Sequence, residues 1–417
     1  MGAEPVDKKA RPAMTYQRVG FNDLPGWQAD DHRTAYAAFL NSCHRLVQMA
    51  RGIKDTAQVA SQAPKMLPDE KLLPLCTTAQ MLPGKPSNIE ARNFFERYFV
   101  PHRVAHNGAI GLLTGYYEPV IEGSRLPDAR FKAPVYKRPG DLVNLVEESQ
   151  RGAQDGSMTH GRQTTAGISP YPTRADIDQG ILKNKGLELL FLEDPVDVFF
   201  MQIQGSGRIK LPDGSMIRIG YDGKNGHPYT SIGRILIDQG EIPVERMSLT
   251  ALAHWLKANA AKARDLMWAN KSYVFFREYR GKESGSPQGV HEIPLTPGRS
   301  LAIDAGYHAI GLPVYVVAPQ LTHAGSKTAD AKANGGPAGF HRLMIAQDVG
   351  SAIKGPERGD IYFGSGDKAG KLAGVTKHPG NLFVLLPKSE AGDPPDAQKP
   401  QAKAGAGTLA PPSKAKP

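Results

Sequence analysis

The sequence has little cysteine: Cys43 and Cys76 are the only two among 417 residues. Two thiols cannot form a four-ligand zinc site, and these two are not spaced as a CxxC pair, so structural zinc and dithiol redox chemistry are excluded. In an oxidising compartment the pair is able to form one disulfide. Because Cys43 lies on the apolar face of a predicted helix, we favour a buried free thiol.

Long apolar runs are also missing from the sequence. No stretch approaches the roughly 20 consecutive apolar residues of a membrane-spanning helix. The first residues, MGAEP, lack the apolar core of a secretion signal, although a chain starting at a mature N-terminus would look the same. The sequence therefore leaves export and lipid attachment open.

The motifs of several enzyme classes are absent. HExxH and GxSxG do not occur, and His102 and His106 lack the glutamate of a zinc motif. Residues 364–371 (GSGDKAGK) approximate a phosphate-binding loop, but the glycine spacing is one residue too long and Leu372 replaces the required hydroxyl. We expect neither a metal ion nor a cofactor.

Glycine, proline and positive charge are abundant. The 45 Gly and 34 Pro residues favour a loop-rich β protein, and the 40% hydrophobic content is sufficient for a core. The net charge is +10, but the basic residues are scattered and no nucleic-acid-binding motif accompanies them. We therefore expect no nucleic-acid partner. Residues 1–14 and the Pro/Ala/Lys-rich tail 389–417 are predicted to be disordered.

Hydrophobic periodicity predicts helices at about 30–49, 88–99 and 249–267. Short apolar runs between turn residues predict strands elsewhere. The run 196–204 is one of these predicted strands, which would place Gln202 and Gln204 on a common face.

Three aspartates, Asp304, Asp348 and Asp360, each adjoin an apolar β run and a nearby glycine. Turn chemistry accounts for any one of them. Three within 57 positions indicate carboxyl groups gathered at one edge of a sheet. Apolar neighbours raise the pKa of a carboxyl group, and cleavage of a glycosidic bond requires a carboxylic acid that is protonated near neutral pH.

Two further clusters suit carbohydrate. In residues 114–119 (TGYYEP), Tyr116 and Tyr117 point to opposite faces of a strand, so one ring packs inward and the other is free to stack on a sugar. In residues 202–207 (QIQGSG), two amides beside a glycine-lined turn suit sugar hydroxyl and acetamido groups. An ordinary polar sheet face is the alternative interpretation.

At these motifs the sequence resembles the membrane-bound lytic murein transglycosylase A family. The order and spacing of the motifs match from about residue 110 to 386. The segments that carry the resemblance are 114–119 (TGYYEP), 198–207 (VFFMQIQGSG), the helical stretch 248–267, 272–276 (SYVFF), 299–304 (RSLAID) and 347–364 (QDVGSAIKGPERGDIYFG).

The resemblance implies a mainly β fold with peripheral helices. A double-psi β-barrel domain would comprise residues 15–118 and 271–388, and a smaller inserted β domain would comprise residues 119–270. A glycan strand would bind in the groove between the two domains.

The resemblance also implies site residues. Asp360 would be the single catalytic acid and base, supported by Asp348 and Asp304, with Thr114 near the reacting sugar. Glu118 receives no role. Glycan contacts are expected from Tyr116, Tyr117, Gln202, Gln204, Gly205, Ser206, Gly207 and Lys354.

The implied activity is that of a peptidoglycan lyase, which cleaves the β-1,4 bond between N-acetylmuramic acid and N-acetylglucosamine and leaves 1,6-anhydromuramic ends. We expect a monomer, periplasmic or associated with the outer membrane, that binds glycan strands and possible cell-wall machinery proteins. Two alternatives stay open. One is a hydrolase that uses water and a second carboxylate, Asp348 or Glu118; the other is a cell-wall-binding protein without activity.

Overall fold

The computed structural model describes residues 13–51, 71–81, 85–106, 108–145, 158–281, 285–324 and 338–388. The predicted disordered tail 389–417 and most of the predicted N-terminal segment lie outside these residues. All the elements below belong to the unit Met1–Pro387.

Strands and helices are named in chain order. The strands are β1 (Thr15–Arg18), β2 (Phe99–Ala105), β3 (Gly111–Glu118), β4 (Val120–Ser124), β5 (Ala133–Tyr136), β6 (Leu142–Asn144), β7 (His160–Thr164), β8 (Gly167–Ser169), β9 (Glu188–Leu192), β10 (Ser206–Lys210), β11 (Met216–Lys224), β12 (Val274–Glu278), β13 (Ser300–Ile303), β14 (Pro313–Ala318), β15 (Phe340–Val349), β16 (Arg358–Ser365) and β17 (Lys377–Pro387). The helices are α1 (His32–Ala50), α2 (Leu72–Met81), α3 (Asn88–Tyr98), α4 (Arg174–Asp178), α5 (Pro195–Gln204), α6 (Ile232–Asp238), α7 (Leu249–Ala258), α8 (Ala260–Ala269) and α9 (Gly366–Val375).

Six strands close into a barrel in the order β17, β14, β15, β13, β16 and β3, with β3 pairing back to β17. Strands β2 and β1 extend the same sheet from β17. The interior is apolar because alternate residues such as Leu113, Leu301 and Ile361 point inward and are completely buried. The mainly β fold with a barrel and peripheral helices is thus confirmed.

Helices α1 and α2 pack beside the barrel and are joined by a disulfide between Cys43 and Cys76. Both cysteines are completely buried, as the apolar face of α1 predicts, but the expectation of a free thiol was wrong. The apolar periodicity of α1 reports burial and says nothing about the neighbouring element. The packing of α2 places the two Cα atoms 4.8 Å apart, which is within bonding range.

A second sheet has the strand order β12, β11, β10, β4, β9 and β5, and β6, β7 and β8 form a small third sheet. The second sheet starts at Val120, directly after barrel strand β3. Its edge strand β12 falls in the segment 271–388, which we expected to belong to the barrel, yet it pairs with β11. The division into barrel and insert stays a prediction, and this pairing places residues 274–278 with the insert's sheet.

Residues 195–204 form helix α5, so the strand predicted there was wrong. The Asp194 side chain caps the helix by accepting a hydrogen bond from the Val196 N–H at 2.8 Å, Pro195 occupies the first turn, and Gly205 ends the helix at φ 77°. These start and stop signals outweigh the β propensity of the valines and phenylalanines between them. The apolar side of α5 is buried between the second sheet and α7.

Candidate active site

Thr114, Asp360, Ala302 and Asp348 lie side by side across four barrel strands. In the strand register, Thr114 pairs with Asp360, Asp360 pairs with Ala302, and Ala302 pairs with Asp348. Paired residues project to the same face of a sheet, and this is the outer face because the flanking Leu113 points into the core. The structure therefore brings two of the three predicted aspartates together with Thr114.

A β-bulge at Gln347 sets the direction of Asp348. Leu301 pairs with Ala346, but the next pair is Ala302 with Asp348, so Gln347 is the extra residue. Without the bulge, Asp348 would alternate to the opposite face and point into the barrel. Gln347 is completely buried: its amide nitrogen donates to two oxygens of α1 at 2.7 and 2.8 Å, and its oxygen accepts from Ser300.

Two successive hydrogen bonds connect Arg358 to Asp360 through the Thr114 hydroxyl group. Arg358 Nη2 donates to Thr114 Oγ1 at 2.7 Å, and Thr114 Oγ1 donates to Asp360 Oδ1 at 2.5 Å. Because arginine only donates, the single hydroxyl proton of Thr114 is directed at Asp360. Burial raises the pKa of Asp360 to about 6, although Arg358 and the Thr114 hydrogen bond oppose this rise.

Asp348 is held by two donors. Tyr116 Oη donates to Oδ2 at 2.8 Å, and the Val349 N–H donates to Oδ1 at 2.9 Å. Burial raises the pKa of Asp348 to about 7 against these two hydrogen bonds, and the nearby charge of Asp360 adds to the rise. Both carboxyl groups are partly exposed.

A small apolar cluster on the outer face of the barrel accounts for the burial that raises the pKa values of Asp348 and Asp360. It is separate from the barrel core and consists of Tyr116, Leu295, Ala302, Ile353 and Tyr362. The rings of Tyr116 and Tyr362 are 5.3 Å apart. A carboxylate next to this surface loses hydration, which favours the neutral acid.

Asp304 has a different environment from the other two aspartates. It is 5% exposed, and both carboxyl oxygens accept backbone N–H groups, from Gly306 at 3.0 Å and from Gly355 at 2.9 Å. Gly355 lies in the loop that connects Asp348 to Asp360, next to the exposed Lys354. Asp304 thus fixes this loop relative to the end of β13.

Glu118 forms a buried ion pair between the barrel and the second sheet. Its two oxygens accept from Arg218 of β11 at 2.5 and 3.0 Å, and Ser365 of β16 donates to Oε2 at 2.5 Å. Glu118 is completely buried. A second contact joins the sheets where Lys224 Nζ donates to Ser351 Oγ at 3.2 Å. Sequence reasoning missed Arg218 and Ser365, since residues 100 and 247 positions from Glu118 leave no local signal.

The predicted glycan-binding glutamines hydrogen-bond within the protein. Gln202 Nε2 donates to the Val274 carbonyl at 3.1 Å, and Gln204 Oε1 accepts the Tyr117 N–H at 2.9 Å. They belong to a helix, so the shared strand face was wrong. The Tyr117 ring lies against Gly370 of α9, on the opposite side of β3 from the carboxyl groups. Glycan contacts from these side chains stay predictions.

Residues 205–207 form the turn from α5 into β10. Gly205 has the left-handed conformation of a helix cap, and Gly207 leaves room for the Met201 side chain, whose sulfur would lie 2.6 Å from an added Cβ. Ser206 is partly exposed at the start of β10. This geometry explains the two glycines structurally, and the predicted glycan contacts of the turn stay untested.

Among the described residues, no three His, Cys, Asp or Glu side chains are grouped as metal ligands. None of the described helices has the length and apolar character needed to cross a membrane.

Two family models match the chain in the order that the sheets suggest. A model described as the MltA specific insert domain matches residues 112–277, and a 3D domain model matches residues 299–386. The fold and site thus define a 3D-domain barrel that carries an MltA-type insert.

The "Membrane-bound lytic murein transglycosylase A" of Vibrio cholerae is 36% identical over 66% of this chain and 65% of its own length. A crystal structure of a membrane-bound lytic murein transglycosylase from Agrobacterium tumefaciens is 36% identical, covers 89% of this chain and 98% of that chain, and gives a TM-score of 0.75. An Escherichia coli MltA structure with bound chitohexaose is 28% identical, covers 92% and 98%, and gives 0.61. The chain belongs to the membrane-bound lytic murein transglycosylase A family. The match spans slightly less than two thirds of the curated Vibrio relative.

Proposed function

We propose that this protein is a lytic transglycosylase that cleaves the β-1,4 bond between N-acetylmuramic acid and N-acetylglucosamine in peptidoglycan. The observation that carries the proposal is the Asp360 carboxyl group, which is partly exposed on the barrel face, has a pKa raised to about 6 and is oriented by Thr114. Such a group is able to give and then take a proton near neutral pH. The names of the relatives support murein as the substrate.

In the first step, protonated Asp360 donates its proton to the glycosidic oxygen as the bond from that oxygen to C1 of the muramic acid breaks. The leaving sugar departs with a free hydroxyl group. In the second step, the C6 hydroxyl of the same muramic acid attacks C1, and the Asp360 carboxylate accepts its proton. The product is a 1,6-anhydro ring, no water is consumed, and Asp360 is protonated again.

The intramolecular attack explains why one catalytic carboxyl group is sufficient. The C6 hydroxyl is attached to the reacting sugar, so its effective concentration at C1 is high. Asp348, held by Tyr116, is a second carboxyl group beside Asp360 and supports it through hydrogen bonding and electrostatics; with a pKa of about 7 it is still protonated when Asp360 holds its proton. Asp304 acts indirectly as a positioning residue, through the loop at Gly355.

The hydrolytic alternative requires a second carboxylate to activate water. Glu118 is unsuited to this task because it is completely buried and both oxygens are bound by Arg218, with Ser365 on one of them. Asp348 is partly exposed beside Asp360 and is the one group of the two that fits. The alternative therefore depends on Asp348.

The disulfide between Cys43 and Cys76 supports an oxidising compartment. Together with relatives named as membrane-bound, it favours a periplasmic location or association with the outer membrane. We further propose that the protein acts as a monomer on glycan strands and that cell-wall machinery proteins are its partners.

The proposal is tested by incubating the purified protein with peptidoglycan sacculi and identifying the soluble products by mass spectrometry. Muropeptides with 1,6-anhydromuramic ends, each one water lighter than the hydrolytic product, are the expected result. Reducing ends would establish a hydrolase and make Asp348 the candidate for its second carboxylate. Binding to sacculi without soluble products would establish the binding protein.

A further inference from the structure

The row of side chains that contains the carboxyl groups continues one strand further, to Lys377. Lys377 of β17 pairs with Thr114 of β3, and Thr114 pairs with Asp360. The register therefore places Lys377 on the same outer face as the proposed catalytic group. Two strand spacings of roughly 4.8 Å separate the Cα atoms of Lys377 and Asp360, or about 10 Å.

The face of the barrel at Lys377 is open. Lys377 is exposed, and Leu112, which precedes Thr114 by two residues on the same face of β3, is 40% exposed. Within the part of the chain that the structure describes, the Lys377 ammonium forms no ion pair. A hydrated, unpaired ammonium on a flexible stem is available to an incoming anion.

The side chains next to Thr114, at the Lys377 end of this row, are positively charged. Arg358 borders Thr114 on one side and Lys377 borders it on the other. His378 adds little charge, because burial and the neighbouring His323 lower its pKa. A chain that crosses the strands past Asp360 therefore meets a cation about the length of a disaccharide from the reacting bond.

We propose that Lys377 is a specificity-determining residue that recognises a carboxylate on the neighbouring disaccharide of the glycan. This inference rests on the proposed function, because peptidoglycan carries its anionic groups on every second sugar. The carboxylate has two possible sources: the stem peptide, or the lactyl group of a muramic acid without a peptide. A neutral β-1,4 glycan offers neither.

The test compares the affinity of the whole chain for four hexasaccharide probes, measured by calorimetry in the Asp360→Asn background so that no probe is consumed. One probe is chitohexaose, which is uncharged. The other three are peptidoglycan fragments: one with stem peptides, one with the peptides removed, and one with stem peptides whose carboxyl groups are converted to amides. Lys377→Gln removes the charge and Lys377→Arg keeps it, and Lys371→Gln, an exposed lysine on α9, is the matched control.

We expect Lys377→Gln to weaken binding of the carboxylate-bearing fragments by about two- to fivefold, the range of exposed ion pairs, and to reduce the salt dependence of that binding. Whichever fragment loses affinity, with peptides or without, identifies the source of the carboxylate. Chitohexaose and the amidated fragment should bind as before, Lys377→Arg should restore the affinity, and Lys371→Gln should change nothing.

Equal losses for charged and uncharged probes, or no loss with any probe, would overturn the inference. Either result leaves the proposed function intact, because that function is judged by the products of the unmodified protein. A chain that binds none of the probes would contradict the proposed function and this inference together.

Discussion

The Thr114 hydroxyl group donates a 2.5 Å hydrogen bond to the Asp360 carboxyl group across neighbouring barrel strands. Arg358 occupies the acceptor side of the same hydroxyl, so the direction of the bond is fixed. Thr114 therefore stabilises the Asp360 carboxylate, while burial favours the neutral acid. This balance keeps the pKa of Asp360 in the range where one group serves as both acid and base.

Replacing the threonine hydroxyl tests this balance. Thr114→Val removes the donor, so the pKa of Asp360 should rise and the alkaline limb of the pH–rate profile should move to higher pH. Turnover should fall about tenfold, the value of one hydrogen bond to a charged group. Thr114→Ser should restore both properties. A pH profile that is identical in Thr114→Val and the unmodified protein would show that the bond has no catalytic role.

Asp348 should make folding stability depend on pH. Its pKa is about 7 in the folded protein and 3.8 without the protein environment, so between these values the folded state binds more protons than the unfolded state. Stability therefore falls as the pH rises through this window. Asp348→Asn should be more stable than the unmodified protein at pH 8 by about 1 kcal/mol or more, and the difference should vanish near pH 4. Thermal denaturation across this range measures the effect, with the exposed Asp367→Asn as control. Parallel curves for Asp348→Asn and the unmodified protein would contradict the raised pKa.

The ion pair between Glu118 and Arg218 should be costly to break. Glu118→Ala leaves the buried guanidinium without its partner, and we expect a loss of about 3–5 kcal/mol in the free energy of unfolding. Glu122→Ala breaks an exposed pair with Arg130 and should cost far less than Glu118→Ala, because solvent screens the charges of that pair. Chemical denaturation distinguishes the two. If Glu118→Ala were as stable as Glu122→Ala but inactive, Glu118 would have a direct role in the chemistry.

The disulfide should contribute to stability mainly by reducing the conformational entropy of the unfolded chain. Cys43 and Cys76 are 33 positions apart, and a closed loop of that size corresponds to about 3–4 kcal/mol. The Cys43→Ser, Cys76→Ser double variant should unfold at correspondingly lower denaturant concentration under oxidising conditions. Under reducing conditions the unmodified protein should approach the variant. If the variant and the unmodified protein were equally stable under oxidising conditions, the disulfide would have no effect on the free energy of unfolding.

The barrel strands were predictable from sequence because they are short apolar runs bounded by turn residues. Within β3 and β16, Leu113 and Ile361 point inward, and Thr114 and Asp360 point outward. The gathering of Asp348 with Asp360 also followed from the pattern of aspartates at strand ends. The bulge at Gln347 could not be predicted from the sequence, because it depends on hydrogen bonds to α1 and β13 that no local sequence pattern indicates.

Helix α5 could have been predicted from its start and stop signals in the sequence. Asp194 and Pro195 are a cap and first-turn signal, and Gly205 is a stop signal, but the run VFFMQIQ between them has strong β propensity. The disulfide and the ion pair between Glu118 and Arg218 could not be predicted from the sequence. Each joins elements that only tertiary packing brings together.

The central claim is that Asp360 alone gives and takes the proton, and the most direct measurement is the turnover of Asp360→Asn on peptidoglycan sacculi. The substitution keeps the size of the side chain and the bond from Thr114, so the variant should fold and bind sacculi. The account predicts that release of anhydromuropeptides falls by about a thousandfold, with Asp367→Asn unaffected. Turnover of Asp360→Asn within about tenfold of the unmodified protein would contradict it, because a general acid contributes about a hundredfold or more.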